Sequence, residues 1–182
     1  RRYSSAASDV YKRQHVKDAI GRRWQLSTIQ VDFAQPDNFD LQFVDSNNKR
    51  VKPVMIHRAL LGSIERFTGI LIENYAGEFP GWLSPVQVKI LTIGDVSNYV
   101  NKITKSLKGF RYEVDDRNLR LGEKLHDASK DKVPISLIVG EKDELSNTLA
   151  INIRSQDNQQ NVKYEDAMKQ IKAHLKTPIF KI

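Results

Sequence analysis

The sequence has 182 residues, 40% hydrophobic and 28% charged, with no cysteine and a formal net charge of +7. These values fit a soluble globular chain of one ordinary domain or two small ones, and they exclude disulfides and thiolate metal sites within it. No apolar run is long enough to span a bilayer and no secretory signal is visible, so a cytoplasmic location is expected. The first fourteen residues carry a net +3, leaving +4 over the remaining 168. That mild basic bias is compatible with nucleic acid, but by itself it reads first as a solvated surface of mixed sign.

In chain order, Arg1 to Gln14 is small, polar and basic, and its few apolar residues show no period that continues into the next segment. Residues 1–14 are therefore expected to be a foreign or disordered tail. Trp24 to Phe33 reads as a strand in which Ile29, Val31 and Phe33 alternate with Thr28, Gln30 and Asp32. Phe39 to Val44 is a second short strand, residues 45–49 form a turn, and Val54 to Ile56 form a third strand with His57 at its end. Ser63 caps a helix whose buried stripe is Ile64, Phe67, Ile70 and Leu71, and Gly77 stops it. Two prolines and a glycine within residues 78–85 then mark a domain boundary.

Beyond Pro85 the pattern predicts a strand at residues 86–91 and a helix through Val96, Val100, Ile103 and Leu107. A strand through Phe110, Tyr112 and Val114 follows, and then a helix through Leu121, Leu125 and Ala128. Ile135 to Val139 is a continuously apolar strand expected at the centre of a sheet. Leu149, Ile151 and Ile153 form a further strand, and Ala167, Met168, Ile171 and Leu175 a final amphipathic helix. This β-α-β-α-β-β-α order implies an α/β domain with a mixed, largely parallel sheet flanked by helices.

The motifs common to single-chain enzymes are missing: there is no P-loop, no dinucleotide glycine fingerprint and no nucleophile elbow. His15, His57, His126 and His174 are too scattered for a local metal motif. The informative stretch is Pro53 to Phe67, PVMIHRALLGSIERF. It reads as strand, turn and helix. Gly62 and Ser63 allow close backbone approach, free N–H groups at the helix start favour an anion, and Arg66 is one turn in. On the residues alone, Arg66 reads first as a surface group paired with Glu65 or Glu73, and His57 as a satisfied core histidine.

This stretch resembles motif 3 of the class II aminoacyl-tRNA synthetases, in its threonyl form. The preceding WQLSTIQVDF and the following ILIENYAGEFPGWLSPVQV resemble the neighbouring strand and the junction into the anticodon-binding domain of that family. The resemblance runs from about Val16 to the C-terminus. It implies that residues 15–83 are the last strands and motif 3 helix of a class II antiparallel-sheet catalytic domain, and residues 84–182 an anticodon-binding domain. It implies ATP contacts, with Mg2+ in the whole enzyme, at Arg66, Gly62, Ser63, Gln25 and Thr28, and a threonine contact at Gln30. It also implies that His57 is one of three protein ligands of a zinc ion. Such an ion would bind the amino and hydroxyl groups of threonine, which near-isosteric valine cannot imitate. Leu26-Ser27 stands where the family usually has Cys-Gly.

For the second domain the resemblance implies anticodon reading by Asn118, with Arg117, Lys142, Asp143 and Arg154 nearby. Asn152 stands where the family has a basic residue, and Arg154 is taken to share its strand face. No catalytic residue is expected here. The other zinc ligands, motif 2 and the dimer-forming motif 1 would precede this segment, so the piece alone is expected to be inactive and the whole enzyme to be a homodimer that binds threonine tRNA. The alternatives are a stand-alone or paralogous RNA-binding module without ligase activity, a prolyl or histidyl relative, and an unrelated α/β domain.

Overall fold

The computed structural model describes residues 8–178, with side chains from residue 12 onward. The chain divides into two compact units, residues 1–75 and 76–182. The division falls at the end of the helix that follows Ser63, earlier than the proline-rich stretch the sequence suggested.

In the first unit, β1 (Ser8–Lys17), β2 (Arg23–Asp32) and β5 (Met55–Ala59) form an antiparallel sheet in the order β1-β2-β5. Ser8 to Gln14 are thus strand residues, where the sequence led us to expect a tail; residues 1–7 lie outside the described residues. β1 pairs along the whole of β2, with register irregularities at Val10/Lys12 and Gln14/His15. Its order comes from backbone hydrogen bonds, which need no apolar alternation. The short helix α1 (Ala34–Asn38) follows β2, and β3 (Phe43–Val44) pairs with β4 (Arg50–Val51) around the Asp45 turn. The helix α2 (Ile64–Tyr75) begins where expected, with the Ser63 hydroxyl accepting the Arg66 N–H at 3.2 Å. Its expected stripe is only partly covered: Phe67, Ile70 and Leu71 are half-buried, and Ile64 is 72% exposed.

The second unit is built on a five-stranded sheet in the order β10-β9-β8-β6-β7. The chain runs β6 (Val88–Ile93), α3 (Ser97–Ser106), β7 (Tyr112–Asp115), α4 (Leu121–Lys130) and β8 (Ile135–Gly140). It continues through α5 (Glu141–Ser146), β9 (Thr148–Ile153), β10 (Gln159–Lys163) and α6 (Tyr164–Leu175). β7 and β8 flank β6 in parallel, while β9 and β10 continue antiparallel, so the sheet is parallel on one side and antiparallel on the other. The apolar strand β8 is central, as its sequence predicted. The β6-α3-β7 and β7-α4-β8 crossovers run in opposite directions across the sheet, and being right-handed they place α3 and α4 on opposite faces. α3 and α6 cover the face carrying Val88, Ile90, Ile135, Leu137, Val139, Leu149 and Ile151, all at most 1% exposed. On the α4 face, the Lys89 ammonium reaches Asp131 at 2.8 Å.

Candidate functional site

In the first unit, Gln25, Thr28 and Gln30 are all half-buried on β2, and Gln30 lies opposite His57 on β5. Antiparallel pairing therefore brings the expected threonine contact and the expected metal ligand side by side. The turn after β5 returns to the same strand. Gly62 has φ +67°, and a Cβ there would come within 3.2 Å of the Leu26 carbonyl oxygen, so both its backbone conformation and its closeness to β2 require glycine.

Arg66 is held by neither Glu65 nor Glu73. Its guanidinium carbon lies 5.6 Å from the centre of the Trp24 ring, and Glu73 pairs instead with Arg22 at 3.2 Å. Trp24 is fixed from the other side of the turn, its indole N–H donating to Asp18 at 2.8 Å. The Asp18 carboxylate also accepts the backbone N–H groups of Ile20 and Arg22 and the Arg22 side chain. Burial would raise its pKa, but the hydrogen bonds from Trp24 and Arg22 prevail and hold it at about 2. Asp18, Trp24 and Arg66 thus form a chain of support beneath α2 that the sequence reading missed. The signal was present in the D-x-x-x-R-x-W spacing, which suits an aspartate-centred turn.

The His57 Nε2–H donates to the Asp32 carboxylate at 3.1 Å. Asp32 is buried and also caps the start of α1 by accepting the Ala34 and Gln35 N–H groups. The Gln35 N–H outweighs burial, and with the His57 contact it keeps the carboxyl below its usual range. A carboxylate on one imidazole nitrogen is the support a metal-ligating histidine uses. Yet no three His, Cys, Asp or Glu side chains converge among the described residues, so the donors here do not make a zinc site on their own.

In the second unit, four of the five expected positions, Arg117, Asn118, Lys142 and Asp143, gather at one end of the sheet. The C-terminal ends of the parallel strands β6, β7 and β8 lead into Gly94-Asp95, Asp116-Arg117-Asn118 and Glu141-Lys142-Asp143 respectively. Because α3 and α4 leave on opposite faces, the loops after β6 and β7 splay apart. Between them lies a crevice of about 760 Å³, lined among others by Gly94, Asp95, Asn101, Asn118 and Arg120. This is where open α/β sheets take ligands. Asn118 is exposed there.

Its neighbour Arg117 is already engaged, bridging Asp115 at 2.7 Å and Asp127 at 2.8 Å. The two carboxylates raise its pKa further, and Arg117 lowers theirs. Asp143 is similarly occupied, accepting the Gly140 N–H at 3.0 Å and the Thr148 hydroxyl at 3.3 Å, whereas Lys142 is exposed. Arg154 is not brought to this group. It follows the antiparallel strand β9, which runs to the opposite edge of the sheet, and its guanidinium donates to the carbonyls of Lys132 and Phe79 at 2.7 and 2.6 Å. Alternation along a strand gave a face but could not give the edge.

Residues 2–75 match the tRNA synthetase class II core domain (G, H, P, S and T), and residues 87–174 match the anticodon binding domain. Among curated relatives, a threonine--tRNA ligase of Clostridium tetani is 50% identical over 145 residues, covering 78% of this chain and 23% of that protein. One from Clostridium botulinum strain Okra is 43% identical over 165 residues, covering 89% and 26%. The chain therefore spans about a quarter of the length of the relatives it matches. A crystal structure of the RNA binding domain of threonyl-tRNA synthetase from Cryptosporidium parvum superposes with a TM-score of 0.74 at 27% identity, covering 88% of this chain and 42% of that one. With a class II core segment followed by an anticodon-binding domain, the chain belongs to the threonyl-tRNA synthetase family and represents part of such a protein.

Proposed function

We propose that this chain is the part of a threonine--tRNA ligase that carries motif 3 and recognises the tRNA anticodon. What supports the reading is the ordered pair of family domains together with the polar crevice at the ends of β6 and β7. In that crevice Asn118 is the base-reading group; Lys142, exposed after β8 and outside the crevice lining, is a second contact, while Arg117 and Asp143 hold the loops. A splayed single-stranded base offers its edges to such side chains, with specificity from hydrogen bonding rather than charge. Arg66, Gly62 and Ser63 serve the nucleotide, with Gln25 and Thr28 beside it, and Gln30 faces threonine. His57 would complete a zinc site only with donors from elsewhere in the whole enzyme. ATP, Mg2+, a homodimeric assembly and a cytoplasmic setting belong to that enzyme.

The test is a titration of the full chain against threonine tRNA and an anticodon-swapped copy at two salt concentrations. The reading expects preference for the threonine anticodon that persists at higher salt, and a loss of about tenfold of that preference on Asn118→Ala. Equal, salt-sensitive binding of both tRNAs would reduce the domain to a basic surface.

A further inference from the structure

Lys124 carries the most deeply buried ammonium of the second unit's fully buried side chains, its residue only 2% exposed. A buried ammonium is costly unless its donors are used. Here they are used at one place: Nζ donates to the Thr92 carbonyl at 2.8 Å and to the Asp115 carbonyl at 3.0 Å. The Thr92 hydroxyl closes the ring by donating to the same Asp115 carbonyl at 3.2 Å.

The location gives this contact its meaning. Parallel pairing between β6 and β7 runs from Val88↔Tyr112 to Leu91↔Asp115 and goes no further. Beyond it the two chains separate, one toward Gly94-Asp95 and α3, the other toward Asp116-Arg117-Asn118 and α4. Lys124 reaches up from α4 and ties Asp115, the last paired residue of β7, to Thr92, the first residue of β6 past the ladder, at the crevice it also lines. The Asp115 side chain beside it is buried and held by Arg117.

We propose that Lys124 is a positioning residue for anticodon discrimination. It fixes the spacing of the β6 and β7 loops, and through them the placement of Asn118 across from Asp95 and Asn101. This rests on the reading of the crevice as the anticodon site. Lys124 acts through the two carbonyls and touches no base itself. A second buried lysine provides the contrast. Lys89 sits on β6 itself and is ion-paired to Asp131, but it lies outside the crevice lining.

The experiment compares the full chain with its Lys124→Met, Lys124→Gln and Lys89→Met variants. It measures binding to threonine tRNA and to the anticodon-swapped copy, and amide hydrogen exchange across the domain. Lys124→Met is expected to lose about tenfold in preference between the two tRNAs, the discrimination of one well-placed hydrogen bond. Its affinity for the swapped tRNA and its salt dependence should be unchanged. Exchange should accelerate at residues 93–96 and 116–119 and not elsewhere in the sheet. Lys124→Gln, which keeps an N–H donor, should recover part of the preference, and Lys89→Met should keep it all. If Lys124→Met does not fold, the same readouts on Lys124→Gln decide. Retained preference in a folded Lys124 variant, or accelerated exchange spread evenly through the domain, overturns the proposal. No preference in the unmodified chain would instead sink the decoding reading, while the exchange measurement would still decide whether Lys124 holds the two loops.

Discussion

The two units solve the problem of apolar surface differently. In the second, strands and helices close around one core in which Ile90, Ile103, Leu137, Leu149 and Ile171 are fully shielded. In the first, Leu26 is the one large apolar side chain classed as buried among the described residues, while Phe33, Phe39, Phe43, Ile56, Leu60 and Ile64 are about half or more exposed. Both sequences alternate or repeat correctly for their elements. Periodicity states which face wants to be covered; only the rest of a sheet or a second layer covers it.

The contrast is broken most forcefully in the closed core. Leu137→Ala, on the central strand, should cost about 2–5 kcal/mol in urea unfolding, because the cavity adds to the lost transfer energy. A loss under about 1 kcal/mol would mean that the core is not packed as described. A smaller effect is expected at the support beneath α2. Asp18 has its folded pKa depressed to about 2 from an ordinary 3.8. A depressed carboxyl contributes stability that is present above the ordinary value and is lost as pH falls toward the folded one. Fluorescence of Trp24, followed in a Trp82→Phe background, should therefore change between about pH 4 and pH 2. In Asp18→Asn this acid transition should disappear. Persistence of the transition in that variant would show that Trp24 is held otherwise.

His174 on α6 gives a third, milder test in the closed unit. Burial, then the nearby Arg154 charge, push its pKa below the ordinary 6.5. The unfolded chain takes up the proton first, so stability should fall as pH drops below about 6.5 and level off below the lower folded pKa. His174→Gln should flatten thermal melts over that range. The smallest effect belongs to the open face: Ile64→Ser, at a side chain 72% exposed, should stay within about 0.5 kcal/mol of the parent while improving solubility. A large loss there would show that this face is covered.

Much of the fold was legible. The stripe Val96, Val100, Ile103 and Leu107 gave α3, the run Ile135 to Val139 gave the central strand, and Ser63 gave the start of α2. The elements that escaped are those without an apolar signature. α5 spans six residues with none buried, and β10, QQNVK, is a polar edge strand. β1 is basic and polar and takes its order from pairing with β2. Of the site, the loop Asp116-Arg117-Asn118 could be found after a strand, but not that Arg117 would be bound to Asp115 and Asp127. Arg154 was misplaced because sequence cannot say which edge of the sheet an antiparallel strand ends on. Lys124 escaped because a lysine reads as surface. Its spacing with Leu121 and Ala128 did place it on the buried stripe of α4, and that was the available signal.

The central claim is that the crevice between the β6 and β7 loops receives the anticodon. Its most direct test is photocrosslinking of the full chain to threonine tRNA carrying a photoreactive base in the anticodon, with the adduct mapped by mass spectrometry. The account predicts crosslinks within residues 94–101 or 116–121. Crosslinks concentrated around Lys132 and Arg154, at the opposite edge of the sheet, would contradict it.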